Sequence, residues 1–255
     1  MAPETSGRKG GSSLRIESSV ASHPEYTFAF QPIVDTNARE VISYEALIRG
    51  LGNEPSSQVL QQVPPDALFA FDQNARVKAI GLAMRLGIRC NLNLNFLPQS
   101  LGFSADSILT TLEAANRANF PVKRLVLEMV EGEIIDSAAK FKDLIGEYRG
   151  LGLKAAIDDF GKGYSGLNLL ADFQPDQVKL DMKLIRGIER HGARQAIVRA
   201  INQICLDLGI DLIAEGVETE PEFAWLASQG INLFQGFLFA RPGFELFPAV
   251  HYPEL

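Results

Sequence analysis

Short apolar runs, each closed by an acidic residue, recur along this chain and limit the folds that it can adopt. In the clearest case, residues 155–157 are apolar and lead directly into Asp158 and Asp159. Neighbouring side chains on an extended strand point to opposite faces, so one aspartate cannot simply pair with the other. Adjacent charges at the end of a buried strand are costly unless a cation or hydrogen bonds compensate them. We therefore predict a metal site here, with a pair of metal ions.

The same pattern returns elsewhere in the chain. Acidic residues follow or close further short apolar runs at Glu45, Glu128, Glu131, Asp181, Glu215 and Glu218. A single glutamate of this kind is more often a helix N-cap or a solvated loop charge. Repetition at the ends of six strands makes coincidence a poor explanation, because the carboxyl ends of barrel strands meet on one face. The sequence therefore predicts a ring of carboxylates that forms a metal-dependent site.

Length and composition favour one large domain. The chain has 255 residues, of which 46% are hydrophobic, and α/β barrels commonly have this length. A net charge of −7 without a long basic run argues against duplex nucleic acid as a partner, although bound cations would let the protein take an anionic ligand.

The sequence also bears on the cellular compartment in which the protein is found. No apolar run reaches the roughly 20 residues that a membrane span needs, and the N-terminus lacks a signal-peptide pattern. Cys90 and Cys205 are the only cysteines, both in apolar settings. We therefore expect reduced thiols and a cytoplasmic protein.

Strand-like and helical patterns alternate from residue 23 onward. Residues 1–22 are rich in Gly, Ser and charge, so we expect a flexible tail or linker there. The predicted strands are 26–31, 41–47, 88–95, 123–128, 153–158, 177–181, 211–215 and 231–235. Helical patterns separate the later strands, and one opens with a capping box formed by Thr219 and Glu222.

A short turn at residues 35–38 joins the first two predicted strands. It is too short for a crossover helix, so these strands must be antiparallel. We therefore predict an α/β fold, a TIM-like (β/α)8 barrel with an antiparallel first strand. An open doubly wound sheet is the alternative, but the Gly-rich phosphate loop typical of that fold does not follow the first strand.

A set of motifs resembles the EAL-domain cyclic di-GMP phosphodiesterases. The central one is Glu45-Ala46-Leu47, within residues 44–49. The other matching segments are 31–35, 127–131, 158–165, 178–181, 214–219 and 234–237, in the order of the family. The resemblance implies that residues 23–255 form an EAL-type barrel with an antiparallel first strand, in agreement with the hairpin argument.

The resemblance also implies two divalent metal ions. Their implied ligands are Glu45, Asn95, Glu128 and Asp158 for one metal, and Asp158, Asp159 and Glu215 for the other. A set of oxygen ligands suits Mg²⁺ or Mn²⁺ rather than Zn²⁺.

The asparagine ligand has an alternative on the same strand. Asn91, Asn93 and Asn95 alternate onto one strand face. We prefer Asn95 because Pro98 follows it with the spacing of the family, and Asn93 is the reserve. Otherwise these asparagines hydrogen-bond one another inside the barrel mouth.

The implied reaction is hydrolysis of cyclic di-GMP to linear pGpG by a water that two metals activate. Lys179 matches the family lysine near that water, and its alternative role is a structural ion pair with Asp181 or Asp159. The implied catalytic residues are Lys179, Glu45, Asp158 and Asp159. The implied substrate contacts are Gln31, Leu47, Arg49 and Gln235, of which the glutamines could instead be polar strand caps.

The loop at residues 160–166 departs from the family pattern. Lys162 replaces a common threonine and Gly166 a common serine. The resemblance implies that Glu131 braces this loop, with Asp181 and Glu218 as nearby polar supports. It also places the family's dimer contact beside the loop, so we expect a symmetric homodimer.

Two other functions stay open. A non-hydrolytic cyclic di-GMP receptor would use the same pocket to drive a partner interaction, but such receptors typically lose several acidic positions that this chain retains. A barrel enzyme for an unrelated metal-bound substrate would require the motif series to be accidental.

Overall fold

The computed structural model describes residues 24–97, 106–134, 143, 146, 149–163 and 166–254. Its strands are β1 Tyr26–Asp35, β2 Glu40–Gly50, β3 Asn91–Asn95, β4 Leu125–Val130, β5 Lys154–Phe160, β6 Gln177–Leu180, β7 Asp211–Ala214, β8 Leu233–Phe234 and β9 Gly243–Phe244. The α-helices in these ranges are α1 Ser56–Leu60, α2 Leu68–Arg85, α3 Asp106–Arg117, α4 Glu131–Ile134, α5 Gly166–Asp172, α6 Met182–Ile185, α7 Gly192–Leu208 and α8 Glu220–Ser228. The tail predicted for residues 1–22 and the Pro98 of the asparagine motif lie outside the described residues.

The strands close into a barrel. Strands β2 to β8 are parallel and neighbour one another in chain order. Strand β1 is antiparallel to β2 on one side and to β8 on the other, which completes the ring. The TIM-like barrel with an antiparallel first strand is therefore confirmed, and the open doubly wound sheet is wrong.

The strand limits differ most from the sequence-based limits at the two ends of the series of strands. Strands β3, β4 and β5 begin one to three residues later than predicted, and β4 and β5 end two residues later. Strand β1 continues past residue 31 through Pro32 to Asp35, and β2 extends to Gly50, because the two strands form one long hairpin. Strand β8 is only two residues long, and β9 pairs with the edge of β1 beside it. Strands of two residues are too short to show the period-two pattern that identifies a strand in a sequence.

An apolar plug fills one end of the barrel interior. It consists of Ile33, Ile213 and Leu233, with Ile42 packed against them. Residues two positions apart in a strand share a face, so Ile33 and Leu233 lie one layer below Gln31 and Gln235. This apolar layer therefore lies beneath two glutamines, one within β1 and one directly after β8.

Local signals identified the start of α8 correctly. The capping box of α8 is present, with Thr219 accepting from the Glu222 backbone and Glu222 accepting from the Thr219 backbone. Cys90 and Cys205 are both unpaired, with Cys205 buried and Cys90 half-buried. Within the part of the chain that the structure describes, no helix is both long and apolar enough to cross a bilayer.

Candidate active site

Lys179 is the centre of the acidic cluster at the carboxyl ends of the strands. The side chain is fully buried, and its Nζ lies 3.1 Å from Glu45 Oε2, 2.8 Å from Glu128 Oε1, 3.5 Å from Asp158 Oδ1 and 2.6 Å from Glu215 Oε1. These carboxylates come from four different strands or strand ends. The structural ion pair with Asp181 or Asp159 that we considered for Lys179 is therefore wrong, because its partners are four of the five proposed metal-binding carboxylates.

The cluster carries too little positive charge. Burial raises the pKa of Glu128 to about 8, with repulsion from Glu45 adding to the effect and Lys179 opposing it. Burial likewise raises the pKa of Glu215 well above its usual range. Burial alone would lower the pKa of Lys179, but the surrounding carboxylates hold that pKa well above its usual range. One ammonium thus faces four acids, and the site favours a further cation.

A bulge in β5 lets the adjacent Asp158 and Asp159 face the same cavity, although neighbouring strand residues normally point to opposite faces. The register between β5 and β6 shifts between Ile157 and Phe160, and Asp159 has a φ of 56°, in the left-handed region. Such a bulge re-aims a side chain at the end of a strand. Asp158 and Asp159 therefore line the same cavity, of about 310 Å³, together with Glu45 and Glu215.

Two of the three asparagines of β3, Asn93 and Asn95, donate hydrogen bonds to carboxylates. Asn95 Nδ2 donates to Glu45 Oε1 at 3.3 Å, and Asn95 is exposed at the mouth. Asn93 is buried one layer deeper, where its Nδ2 donates to Glu128 Oε1 at 2.8 Å. The alternative in which the asparagines bond each other is wrong, and Asn95 is the one that reaches the open side of the cluster.

Two buried glutamines hold Glu45. Gln235 Nε2 donates to Glu45 Oε2 at 2.8 Å and lies 3.3 Å from Gln31 Oε1. Gln31 Nε2 in turn donates to the Ala240 carbonyl at 3.3 Å. Gln31 also lies directly opposite Glu45 in the β1–β2 hairpin. These glutamines are therefore more than strand caps, since together they tie the carboxylate to the backbone after β8.

Glu131 contacts the backbone of the loop after β5, and its role as a brace of that loop stays a prediction. Its Oε2 accepts from the backbone N–H of Gly161 at 2.9 Å and of Gly163 at 3.3 Å. Lys162 Nζ lies 2.9 Å from Asp159 Oδ2, which supplies a second tie within the loop. The other two supports act elsewhere: Asp181 caps α6, and Glu218 pairs with Arg186 at 2.7 Å.

A second cavity opens beside Glu45 and Asn95. Its volume is about 250 Å³, and it is lined mainly by apolar side chains of β2 and α2, including Leu47. Arg49 does not reach across the cluster but donates to the Ile48 carbonyl at 2.8 Å. Leu47 thus lines the pocket, whereas Arg49 is half-buried and does not line it.

The sequence reasoning missed a buried ion pair on this wall. Asp72 and Arg76 of α2 are in direct contact, and Arg76 also lies over the Phe96 ring at 4.8 Å and donates to Thr111 Oγ1 at 2.9 Å. Oppositely charged residues four positions apart in a helix were the available signal. Such spacing usually marks an exposed face, so it did not point to the pocket.

The sequence of this chain is similar to that of known proteins. The EAL domain family profile matches residues 15–242. The cyclic di-GMP phosphodiesterase PdeR of Escherichia coli K12 is 36% identical over 227 residues, which cover 84% of this chain and 33% of PdeR. The blue light- and temperature-regulated antirepressor BluF of that organism is 34% identical over 229 residues, which cover 89% of this chain and 57% of BluF. The chain thus spans about a third to just over half of these curated relatives.

Solved structures share the fold. A standalone versatile EAL protein from Vibrio cholerae O395, in its c-di-GMP bound form, is 47% identical with a TM-score of 0.84, covering 89% of this chain and 96% of that chain. Klebsiella pneumoniae BlrP1, in a manganese and cy-diGMP complex, is 38% identical with a TM-score of 0.85, covering 90% of this chain and 58% of that chain. The chain therefore belongs to the EAL domain family.

Proposed function

We propose that this domain is a divalent-metal-dependent phosphodiesterase that hydrolyses cyclic di-GMP to linear pGpG. The observation that carries the proposal is the convergence of four carboxylates on the buried ammonium of Lys179. The relatives add support, because PdeR is named a cyclic di-GMP phosphodiesterase and the Vibrio protein was solved with c-di-GMP.

The donor set fits Mg²⁺ or Mn²⁺. Glu128 Oε2 is buried without a hydrogen-bond partner, and the cluster has an excess of negative charge around Lys179. In the described ranges, no group of three or more Asp, Glu, His or Cys side chains is already arranged as a metal site. Oxygen ligands of this kind suit hard divalent cations. We assign Glu45, Asn95, Glu128, Asp158, Asp159 and Glu215 as the residues that would hold two such ions.

The side chains have separate tasks in the reaction. Bound divalent ions would supply an acidified water and neutralise the phosphodiester oxygens. A bond from the oxygen of such a water to phosphorus would form as one ester bond to a ribose oxygen breaks, and the proton that the water gives up would end on the leaving ribose oxygen. The Lys179 ammonium would orient the water and stabilise the negative charge that develops on the phosphoryl oxygens. Gln31 and Gln235 keep Glu45 in place while this happens.

The cavity beside Glu45 suits a nucleobase of the substrate. Its walls are largely apolar, with Leu47, Phe71 and Leu60 among them, and Asp72 and Arg76 supply polar groups. Small-molecule sites commonly combine apolar walls with a few polar groups that fix orientation. Arg49 follows Leu47 by two residues on β2, and its guanidinium can bind a phosphate through two parallel hydrogen bonds.

We further propose that the protein acts as a symmetric homodimer through the surface beside the braced loop. A groove of about 630 Å³ lies between this loop and α7. Leu167 and Ile197 line it with 61% and 48% of their surfaces exposed. Exposed apolar side chains next to a groove favour a protein contact.

A cytoplasmic location stays a prediction, which the free thiols of Cys90 and Cys205 support.

A non-hydrolytic receptor is the second candidate. One relative, BluF, is named an antirepressor rather than a phosphodiesterase. In a receptor, cyclic di-GMP would occupy the same pocket and change a partner contact without being cleaved. The complete set of carboxylates around Lys179 favours the enzyme.

One experiment separates the two candidates. Purified protein is incubated with cyclic di-GMP and Mg²⁺, Mn²⁺ or Ca²⁺, and the nucleotides are separated by chromatography. We expect pGpG with Mg²⁺ or Mn²⁺ and little with Ca²⁺, because the looser coordination of Ca²⁺ positions water poorly. Binding of cyclic di-GMP without pGpG under Mg²⁺ and Mn²⁺ would reject the enzyme and favour the receptor.

A further inference from the structure

Asn93 lies beneath the acidic cluster with both ends of its side-chain amide engaged. It is fully buried on β3, where its Nδ2 donates to Glu128 Oε1 at 2.8 Å. Its Oδ1 accepts from the hydroxyl of Ser43 on β2, which is also fully buried. The three side chains therefore form a chain of hydrogen bonds that runs from β2 through β3 to β4.

The direction of this chain follows from the chemistry of Glu128. Its Oε1 lies 2.8 Å from Lys179 Nζ and accepts from that ammonium. The Asn93 amide must therefore turn its NH₂ group toward Oε1, which leaves Asn93 Oδ1 facing Ser43. Ser43 must then donate its hydroxyl hydrogen. Each member of the chain fixes the orientation of the next.

The two oxygens of Glu128 consequently differ. Oε1 accepts from both Asn93 and Lys179, whereas Oε2 is buried and has no hydrogen-bond partner. A carboxylate that two donors hold at one oxygen cannot rotate without breaking both bonds. Partners of a metal-binding carboxylate commonly orient it in this way.

We propose that Asn93, itself held by Ser43, is a positioning residue that orients Glu128 so that Oε2 is left available to a divalent metal ion. This inference rests on the proposed function. It gives Asn93 no contact with the metal, in contrast to Asn95, which lies at the open mouth and contacts Glu45.

Calorimetric titration with Mn²⁺ in the absence of nucleotide tests the proposal. Asn93→Ala should weaken Mn²⁺ binding by about 10- to 100-fold, the range found for outer partners of metal ligands. Ser43→Ala removes only a hydroxyl and should weaken binding in the same direction but less. Asn91→Ala is the matched control, since Asn91 is on the same strand and lines a cavity at the opposite end of the barrel. We expect it to bind Mn²⁺ like the wild type.

Unfolding temperatures of the metal-free variants separate positioning from packing. A purely structural asparagine would lower the unfolding temperature while the folded protein kept its Mn²⁺ affinity, and that result for Asn93→Ala would overturn the proposal. Equal weakening by Asn91→Ala would overturn it as well. If Asn93→Ala does not fold, Ser43→Ala decides: reduced affinity supports the proposal and unchanged affinity rejects it.

The same titration distinguishes this inference from the proposed reaction. Wild-type protein that binds Mn²⁺ but forms no pGpG would reject hydrolysis, and the comparison of Asn93 and Asn91 variants would still stand. Wild-type protein that binds no Mn²⁺ would overturn both.

Discussion

Glu131 holds the backbone of Gly161, since its Oε2 accepts the Gly161 N–H at 2.9 Å. Gly161 has a φ of 93°, and an added Cβ would lie 2.5 Å from Leu184 Cδ1. The loop that follows the paired aspartates can therefore take this path only with glycine at this position. The carboxylate at the end of β4 thus sets the shape of the loop after β5.

Replacement of Glu131 tests whether this contact matters for turnover. Glu131→Ala should raise KM and lower kcat although no proposed metal ligand is changed, because the loop loses a charged acceptor whose bonds stabilise it by about 1.5–3 kcal/mol each. Lys162→Thr is the matched control in the same loop. Its ion pair with Asp159 is half exposed and contributes at most about 1 kcal/mol, so activity should stay within a few-fold. Steady-state kinetics of both variants, with sedimentation, decide the matter. If Glu131→Ala has the KM, kcat and sedimentation of the wild type, the loop does not need the contact with Glu131.

Lys179 and Glu45 should respond differently to substitution. Lys179→Met removes the ammonium and keeps the length of the side chain. It should lower turnover by about 100-fold or more, as the loss of a group that stabilises developing charge does, while Mn²⁺ binding is retained. Glu45→Ala should lose both turnover and Mn²⁺ affinity, because it removes a ligand.

Metal-free unfolding supplies the second measurement on these variants. Without its ammonium, the cluster of four carboxylates is uncompensated, so Lys179→Met should unfold at a lower temperature than the wild type. Mn²⁺ should then raise the unfolding temperature of Lys179→Met by more than that of the wild type. Equal loss of Mn²⁺ binding from both variants would mean that Lys179 is needed to build the metal site.

The sequence allowed the ring of carboxylates to be predicted because strand ends are local features. Glu45, Glu128, Asp158 and Glu215 each follow an apolar run, and a barrel brings such positions to one face. The contacts among them could not be predicted in the same way. That Lys179 meets all four depends on the register of several strands, which no local pattern encodes.

Two other features could not be predicted from the sequence, for related reasons. The positive φ of Asp159 arises in a bulge against β6, so it depends on a partner strand. The Asp72–Arg76 pair has the spacing of an exposed helix pair, and only the packing of α2 against the barrel buries it. Burial and register are properties of the assembled fold, whereas capping boxes and hairpin turns are written in a few adjacent residues.

Glu222 should make the stability of the protein depend on pH. Burial raises its pKa, but backbone N–H groups of Gly187, Glu218 and Thr219 donate to it, and the net effect holds the pKa of Glu222 below its usual range. A lowered folded-state pKa stabilises the fold above the unfolded pKa, and this stabilisation is lost as the pH falls through the folded pKa. Glu222→Gln should therefore cost about 2 kcal/mol at pH 7, the scale of charged hydrogen bonds, and progressively less in acid.

Urea unfolding at several pH values measures this difference. Glu220→Gln is the control, because Glu220 is exposed in the first turn of the same helix. Its stability difference from the wild type should be small at every pH. The ordinary pKa of glutamate is about 4. If the stability difference between Glu222→Gln and the wild type does not shrink below about pH 4, the negative charge of Glu222 is not what stabilises its contacts with Gly187, Glu218 and Thr219.

Gly166 offers a direct test of the free oxygen of Glu131. A Cβ at this position would lie 2.7 Å from Phe160 Cε2 and 3.0 Å from Glu131 Oε1, which is buried without a partner. Gly166→Ala should therefore destabilise the protein by about 1–3 kcal/mol through overpacking. Gly166→Ser meets the same crowding, but its hydroxyl can donate to Oε1, so it should be more stable than Gly166→Ala by about 1 kcal/mol. Urea unfolding measures the stability of both variants, alone and combined with Glu131→Ala. In the Glu131→Ala background the acceptor is absent, so Gly166→Ser should be no more stable than Gly166→Ala. An advantage that persists would show that the hydroxyl bonds elsewhere.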